Sequence, residues 1–247
     1  NKNEFFQQNI YLPSLISVIL LSILPASNTI HPILFSNLFL ALSFRRLINI
    51  HSQVSCKSEI FDVSLLLLTG ALFYPPTLLF TPVIWITLMI FRPFQWKEWV
   101  SPFIALAIFI VYFATSFLFT DKTSYYEFSN ILESSIYKNN NYSLIFYIFA
   151  FLSFLFVLLG MLQIHLKRKS SSIRYKKMTS MILAFFIIGL INFGISYLYT
   201  FAIETVYVTL IPFTIAISYF LVYFKKNIVV EVSLFILLLL VVLNNWI

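Results

Sequence analysis

Three sets of residues in this sequence are of types that could do chemistry. The first is the run Arg92-Pro93-Phe94-Gln95-Trp96-Lys97-Glu98-Trp99. Guanidinium and ammonium groups bind phosphate oxygens, and tryptophan rings settle at the headgroup level of a bilayer. Arg92, Lys97, Trp96 and Trp99 are therefore candidates for holding a lipid or a lipid-linked phosphate, and the plainer reading is an interfacial anchor. The second set is Arg45, Arg46 and Asp62. Arg45 and Arg46 are candidates for the same phosphate chemistry. Asp62 is a candidate structural partner, either for one of those arginines or for a helix N-terminus. The third set is the carboxylates Asp121, Glu127 and Glu204, with Tyr125, Tyr126 and Glu133 close by in sequence. A carboxylate on the outer face of a membrane could act as a general base in sugar transfer. Glu204 is the foremost of these, and a solvated loop is the plainer reading for all of them.

Other chemistries find little to stand on. His31, His51 and His165 fall at different expected depths and on both sides, so they make no metal-ligand set. The sequence has no Gly-rich phosphate loop, no HExxH, no GxSxG and no CxxC. No metal and no cofactor are implied. Cys56 is the single cysteine, which rules out an internal disulfide and leaves a structural or incidental thiol. No charge falls at the centre of an apolar stretch, which disfavours a proton relay or ion pump. Gln163 and Asn192 lie in or near apolar stretches, where bonding between helices is the default role.

The elements that must position these residues follow from composition. Of 247 residues, 60% are hydrophobic and only 10% charged. A soluble domain carries roughly 25% charged residues and cannot hide so much apolar surface. Lipid must solvate the remainder. Glycine is scarce and the apolar runs are nearly continuous, as in Ile104–Phe119 and Leu234–Leu243, so the pattern is that of helices and not of a barrel with alternating polarity. The expected fold is all-α: one polytopic transmembrane bundle over residues 1–247, with about eight or nine helices. Nine apolar stretches can be marked, at roughly 10–27, 30–44, 60–75, 77–92, 101–120, 142–165, 178–200, 206–224 and 228–246. Pro75 and Pro76 separate the third from the fourth, because proline cannot continue a helix there.

The net charge of +7 fits cytoplasmic loops better than nucleic-acid binding. Lys167, Arg168, Lys169, Arg174, Lys176 and Lys177 come with no acid among them, which places 167–177 in the cytoplasm. Alternation then puts 121–141 in the periplasm, the Pro75–Pro76 turn outside, and Arg45, Arg46, Lys57, Arg92 and Lys97 inside. Membrane lipids are the expected partners, with a lipid-linked substrate as a further candidate. The first residue is Asn1, and an N-terminal portion holding further spans is expected to precede it.

Four ordered blocks carry a resemblance. They are Ser36-Asn37-Leu38-Phe39-Leu40-Ala41-Leu42-Ser43-Phe44-Arg45-Arg46-Leu47, Lys57-Ser58-Glu59-Ile60-Phe61-Asp62, Ala71-Leu72-Phe73-Tyr74-Pro75 and Phe91-Arg92-Pro93-Phe94-Gln95-Trp96-Lys97-Glu98-Trp99. Together with Asn3-Glu4, this set resembles an uncharacterised family of Bacteroidota inner-membrane proteins carrying a domain of unknown function. The resemblance implies a bacterial inner-membrane location and no particular activity. Members of such families sometimes bear the name beta-carotene monooxygenase. Carotenoid-cleaving enzymes hold iron with a set of histidines, and the three here are too few and badly placed. The course from Arg45-Arg46 to Pro75-Pro76 is also similar, more generally, to the middle spans of membrane glycosyltransferases that use polyprenyl-phosphate sugars. That similarity implies an acidic catalytic residue in a first outward loop, which would lie before Asn1. The readings carried forward are an envelope-associated membrane protein, a glycosyltransferase-like enzyme with a lipid-linked donor, and a transporter of small molecules or lipids.

Overall fold

Lipid-like composition leaves the backbone one economical solution, which is to bond to itself within each segment. The computed structural model describes residues 11–23, 32–50, 56–119, 144–168, 171–200, 209–224 and 227–246, and all regular structure among them is helical. The fold is all-α. Nine α-helices are present among the described residues: α1 (Leu12–Ser22), α2 (Pro32–Asn49), α3 (Lys57–Phe73), α4 (Pro82–Phe91), α5 (Trp96–Phe119), α6 (Leu144–Arg168), α7 (Ile173–Thr200), α8 (Leu210–Tyr223) and α9 (Asn227–Trp246). A 3-10 helix, Pro75–Phe80, lies between α3 and α4.

The helices follow the apolar stretches, and the ends differ for local reasons. α5 begins at Trp96, not near residue 101, so the tryptophan run forms its first turn. Glu98 in that turn favours the helix N-terminus, and Pro102 sits inside the helix without ending it. α7 begins at Ile173, not near 178. Ser172 starts it: its hydroxyl accepts the Tyr175 N–H at 3.3 Å and its carbonyl accepts the Lys176 N–H at 3.0 Å.

Among the described residues three helices are long and apolar enough to cross a membrane: Trp96–Thr115, Leu144–Arg168 and Ile173–Ile195. Shorter apolar helices cover Leu12–Ser22, Pro75–Phe91, Leu210–Tyr223 and Val230–Asn244. The 25 residues of α6 extend about 37 Å at 1.5 Å per residue, against a hydrocarbon core of about 30 Å.

The chain divides into two compact units. The first comprises Asn1–Ile30, Asn140–Phe186 and Thr209–Ile247. Its centre is α8, in which every residue from Ala216 to Leu221 is buried. A helix apolar all round belongs in a core, and α8 packs against both α1 and α6. Gly160 of α6 makes the second contact possible, because a Cβ there would run into the backbone of Ala216. Phe156 and Phe220 stack beside it with ring centroids 5.5 Å apart. Asn244 of α9 donates to the carbonyl of Ile23 at 2.9 Å.

The second unit comprises His31–Asn139 and Ile187–Val208. In it α2 and α3 form an antiparallel hairpin. At one end Gly70 lets α3 approach α2, since a Cβ there would lie 3.3 Å from the Cβ of Phe39 and 3.5 Å from the Ser36 carbonyl. At the other end the last turn of α2 meets the first turn of α3 through ion pairs. The Pro75–Phe80 helix then turns the chain back along α3. Asn192, 1% exposed, donates to the Pro76 carbonyl at 2.8 Å. That amide supplies a partner to backbone that the proline break takes out of the α-helical ladder.

Candidate functional site

The second unit gathers the first two sets of sequence candidates where α2 ends, α3 begins, α4 ends and α5 begins. Arg92 is the residue before Pro93, and it takes the extended conformation (φ −132°, ψ 151°) that proline imposes on its predecessor. The chain therefore leaves α4 abruptly and re-enters a helix at Trp96. That corner brings the Arg92 Nη1 to 3.1 Å from the Glu98 Oε1. The same carboxylate oxygen accepts the backbone N–H of Cys56 at 3.1 Å. One turn further along α5, the Ser101 hydroxyl donates to the Lys57 carbonyl at 3.1 Å. The start of α5 is thus stitched to the start of α3. The Trp85 indole N–H adds a link from α4 to the Trp99 carbonyl, at 3.3 Å.

Burial sets the strength of these links. The Glu98 side chain is 1% exposed and that of Arg92 12%. A carboxylate so buried must be paired and hydrogen-bonded, and this one has both kinds of partner. Cys56 is buried beside the pair, with its Sγ 3.4 Å from the Ile50 carbonyl. Burial pushes its thiol above the ordinary range. Arg92 opposes that shift, while Glu98 and Glu59 add to it.

The neighbouring pair is wetter. Arg46 Nη1 lies 2.5 Å from the Asp62 Oδ2 and 3.2 Å from the Glu59 Oε2. Glu59 and Asp62 stand three residues apart on α3 and so share one face. Arg45, Lys57 and Lys97 are exposed. Trp96 and Phe94 are also exposed, at 64% and 72%, and the Phe94 ring tilts against that of Trp99 with centroids 5.1 Å apart. The structure therefore brings Arg46 together with Asp62, and Arg92 together with Glu98, while Arg45 and Lys97 stay in the open.

Asp121, Tyr125, Tyr126, Glu127, Glu133 and Glu204 lie outside the described residues, as do His31 and His51. His165 is exposed at the end of α6. Among the described residues no group of three or more His, Cys, Asp or Glu side chains is placed to hold a metal ion.

No protein-family model, curated protein or solved structure matches this chain.

A second cluster, in the first unit, escaped the sequence reading. Lys167 sits in the last turn of α6 with its Nζ 3.6 Å from the Tyr223 ring centroid. The rings of Tyr219 and Tyr175 lie at 5.8 Å and 5.9 Å. All three distances are within the reach of a cation–π interaction. The Tyr175 hydroxyl donates to the Tyr219 hydroxyl at 2.6 Å, and the rings of Tyr219 and Tyr223 pack with centroids 4.5 Å apart. Next to Lys167, the Arg168 Nη2 donates to the Ser180 hydroxyl at 2.9 Å. The only sequence signal for this cluster is local: Tyr219 and Tyr223 are four apart and share a helix face. Tyr175 and Lys167 reach them from elsewhere in the chain.

Proposed function

We propose that this chain is a multi-pass protein of the bacterial inner membrane, associated with the cell envelope, whose charged corner at Arg92, Glu98 and Cys56 holds helices together and does not handle substrate. The loop 167–177 faces the cytoplasm and 121–141 the periplasm. The observation that carries the membrane reading is α6, an uninterrupted apolar helix with Phe151, Phe154, Leu155, Leu158 and Leu162 all exposed. In water that face would be a large apolar patch, and in a bilayer it is an ordinary lipid-facing surface. The grouping of Arg46, Lys57, Arg92 and Lys97 around the same helix ends supports the sidedness, because the positive-inside rule assigns all four to one face.

The two arginines that would serve a phosphate in an enzyme already face carboxylates, Arg46 with Glu59 and Asp62, and Arg92 with Glu98. An incoming phosphate would have to displace a carboxylate from either arginine, and at Arg92 that pair is buried, which supports the structural role. Two experiments test the proposal. Expressed in a bacterium, the protein is expected to stay in the membrane pellet through an alkaline carbonate wash and to leave only with detergent. Release by carbonate would overturn the membrane reading. Purified protein supplied with a polyprenyl-phosphate sugar is expected to leave it intact, and turnover abolished by Arg92→Ala would overturn the structural one.

A further inference from the structure

One end of unit two holds its charges unevenly. From Arg45 to Asp62 and from Arg92 to Trp99 the chain carries five cations, Arg45, Arg46, Lys57, Arg92 and Lys97, against three acids, Glu59, Asp62 and Glu98, a difference of +2. All three acids face arginines, Arg46 or Arg92. Lys57 and Lys97 are exposed. Among the described residues neither ammonium group has an ion pair, a hydrogen bond or a ring contact.

The two lysines stand at neighbouring helix starts. Lys57 is the first residue of α3 and Lys97 the second of α5. Two bonds tie these starts together: Glu98 accepts the Cys56 N–H, and Ser101 donates to the Lys57 carbonyl. A helix start carries a partial positive charge, which favours acids and disfavours cations. Glu59 and Glu98 meet that preference, but both carboxylates are engaged by arginines. The lysines run against it twice, side by side. Sidedness explains why cations lie at this end of the unit, and it does not call for their placement on helix starts. An anion from outside the chain would offset the cost at both lysines at once. The neighbouring side chains say what carries that anion. Trp96 is 64% exposed and Phe94 72%, and both lie within three residues of Lys97. Aromatic rings so open, beside cations at a helix start, fit the headgroup level of a bilayer.

We infer that Lys57 and Lys97, with Trp96 and Phe94 beside them, bind the headgroup of an anionic phospholipid where α3 and α5 begin. This inference rests on the membrane reading above. It divides the cations by their partners: Arg46 and Arg92 stay with their carboxylates and hold helices, while the two unpaired lysines take the lipid phosphate. Lys57 joins the site only through the fold, because Ser101 and Cys56 bring the start of α3 to that of α5. The two rings contact the glycerol and upper acyl region next to the phosphate.

The test uses the full chain purified in a neutral detergent and titrated with brominated phosphatidylglycerol or brominated phosphatidylcholine, which quench tryptophan fluorescence on contact. The quenching that disappears in Trp96→Phe is the signal of this site. Phosphatidylglycerol is expected to quench it saturably, at concentrations about 25-fold lower than phosphatidylcholine, a factor of about five for each lysine. Lys57→Gln and Lys97→Gln each weaken the affinity for phosphatidylglycerol about fivefold, and the double variant treats the two lipids alike. Lys97→Arg keeps the charge and stays within about twofold of the parent. Lys176→Gln, which removes an exposed cation of unit one, also changes it less than about twofold. Equal quenching by the two lipids in the parent, or an equal loss in Lys176→Gln and Lys97→Gln, would overturn the inference while leaving the membrane reading standing, with Trp96 then a plain interfacial anchor. Displacement of phosphatidylglycerol by inorganic phosphate would overturn the lipid assignment in favour of a soluble anion. Release from membranes by carbonate would remove both readings together.

Discussion

Glu98 holds the guanidinium of Arg92 at 3.1 Å, with 1% of its own side chain exposed. The pair closes the corner between α4 and α5, and through the Cys56 N–H it ties that corner to the start of α3. Removing the carboxylate leaves two donors facing each other in a buried place. Glu98→Ala is expected to destabilise the protein by about 3–5 kcal/mol, the usual cost of breaking a buried ion pair from one side. Glu98→Gln keeps an acceptor for the Cys56 N–H and should fall between the two. Thermal unfolding in detergent checks the order, and an alanine variant as stable as the parent would refute the structural role of the corner.

The ion pairs of Arg46 make the contrasting case. Its side chain is 42% exposed and that of Asp62 43%, so water screens the interaction. Asp62→Asn is expected to cost less than about 1 kcal/mol. The difference should shrink further as salt is raised, because exposed pairs are screened at moderate ionic strength. A loss as large as that of Glu98→Ala would mean that something other than water covers this end of the hairpin.

Two glycines test the helix packing of unit one and the freedom of α7. A Cβ at Gly160 would collide with the Ala216 backbone, whereas one at Gly194 would meet nothing within 4 Å. Gly160→Ala must therefore force α6 from α8, at about 1–3 kcal/mol, as overpacking does elsewhere. Gly194→Ala is expected to be neutral or to stabilise by up to about 1 kcal/mol through helix propensity. Comparing the two Tm values decides it, since equal effects would deny the close α6–α8 contact.

The thiol of Cys56 gives a pH signature. Burial raises its pKa above the ordinary thiol value, so the folded state keeps the proton to higher pH than the unfolded chain does. The stability it contributes is complete below the unfolded thiol's pKa and is lost as pH rises through the folded one. Cys56→Ala is expected to flatten the alkaline fall in stability. In the native protein the thiol should also react slowly with maleimides at neutral pH, and rapidly once detergent and denaturant open the corner. Fast labelling of the native protein would contradict its burial.

The all-α fold was legible because lipid-facing helices are written as long apolar runs, and each of the nine marked stretches contains or overlaps a helix. The ends were less legible. Trp96–Trp99 read as a separate interfacial segment because its residues are polar-aromatic, yet Glu98 and the turn at Pro93 make it the start of α5. Arg46 and Asp62 could be named together because charge at a helix end invites a partner. The buried role of Glu98 could not, because its partners Arg92 and Cys56 are brought to it by the course of two other helices. The Lys167 cluster was hidden for the same reason: Tyr175 and Tyr219 stand 44 residues apart, and no periodicity links them.

The central claim is that the chain crosses a membrane with its basic segment inside. Compartment-sensitive reporters fused after Lys176 and within residues 121–141 test it most directly. The two fusions are expected to report opposite sides, with the Lys176 fusion active in the cytoplasm. Both reporters on one side, or the Lys176 fusion outside, would contradict the account.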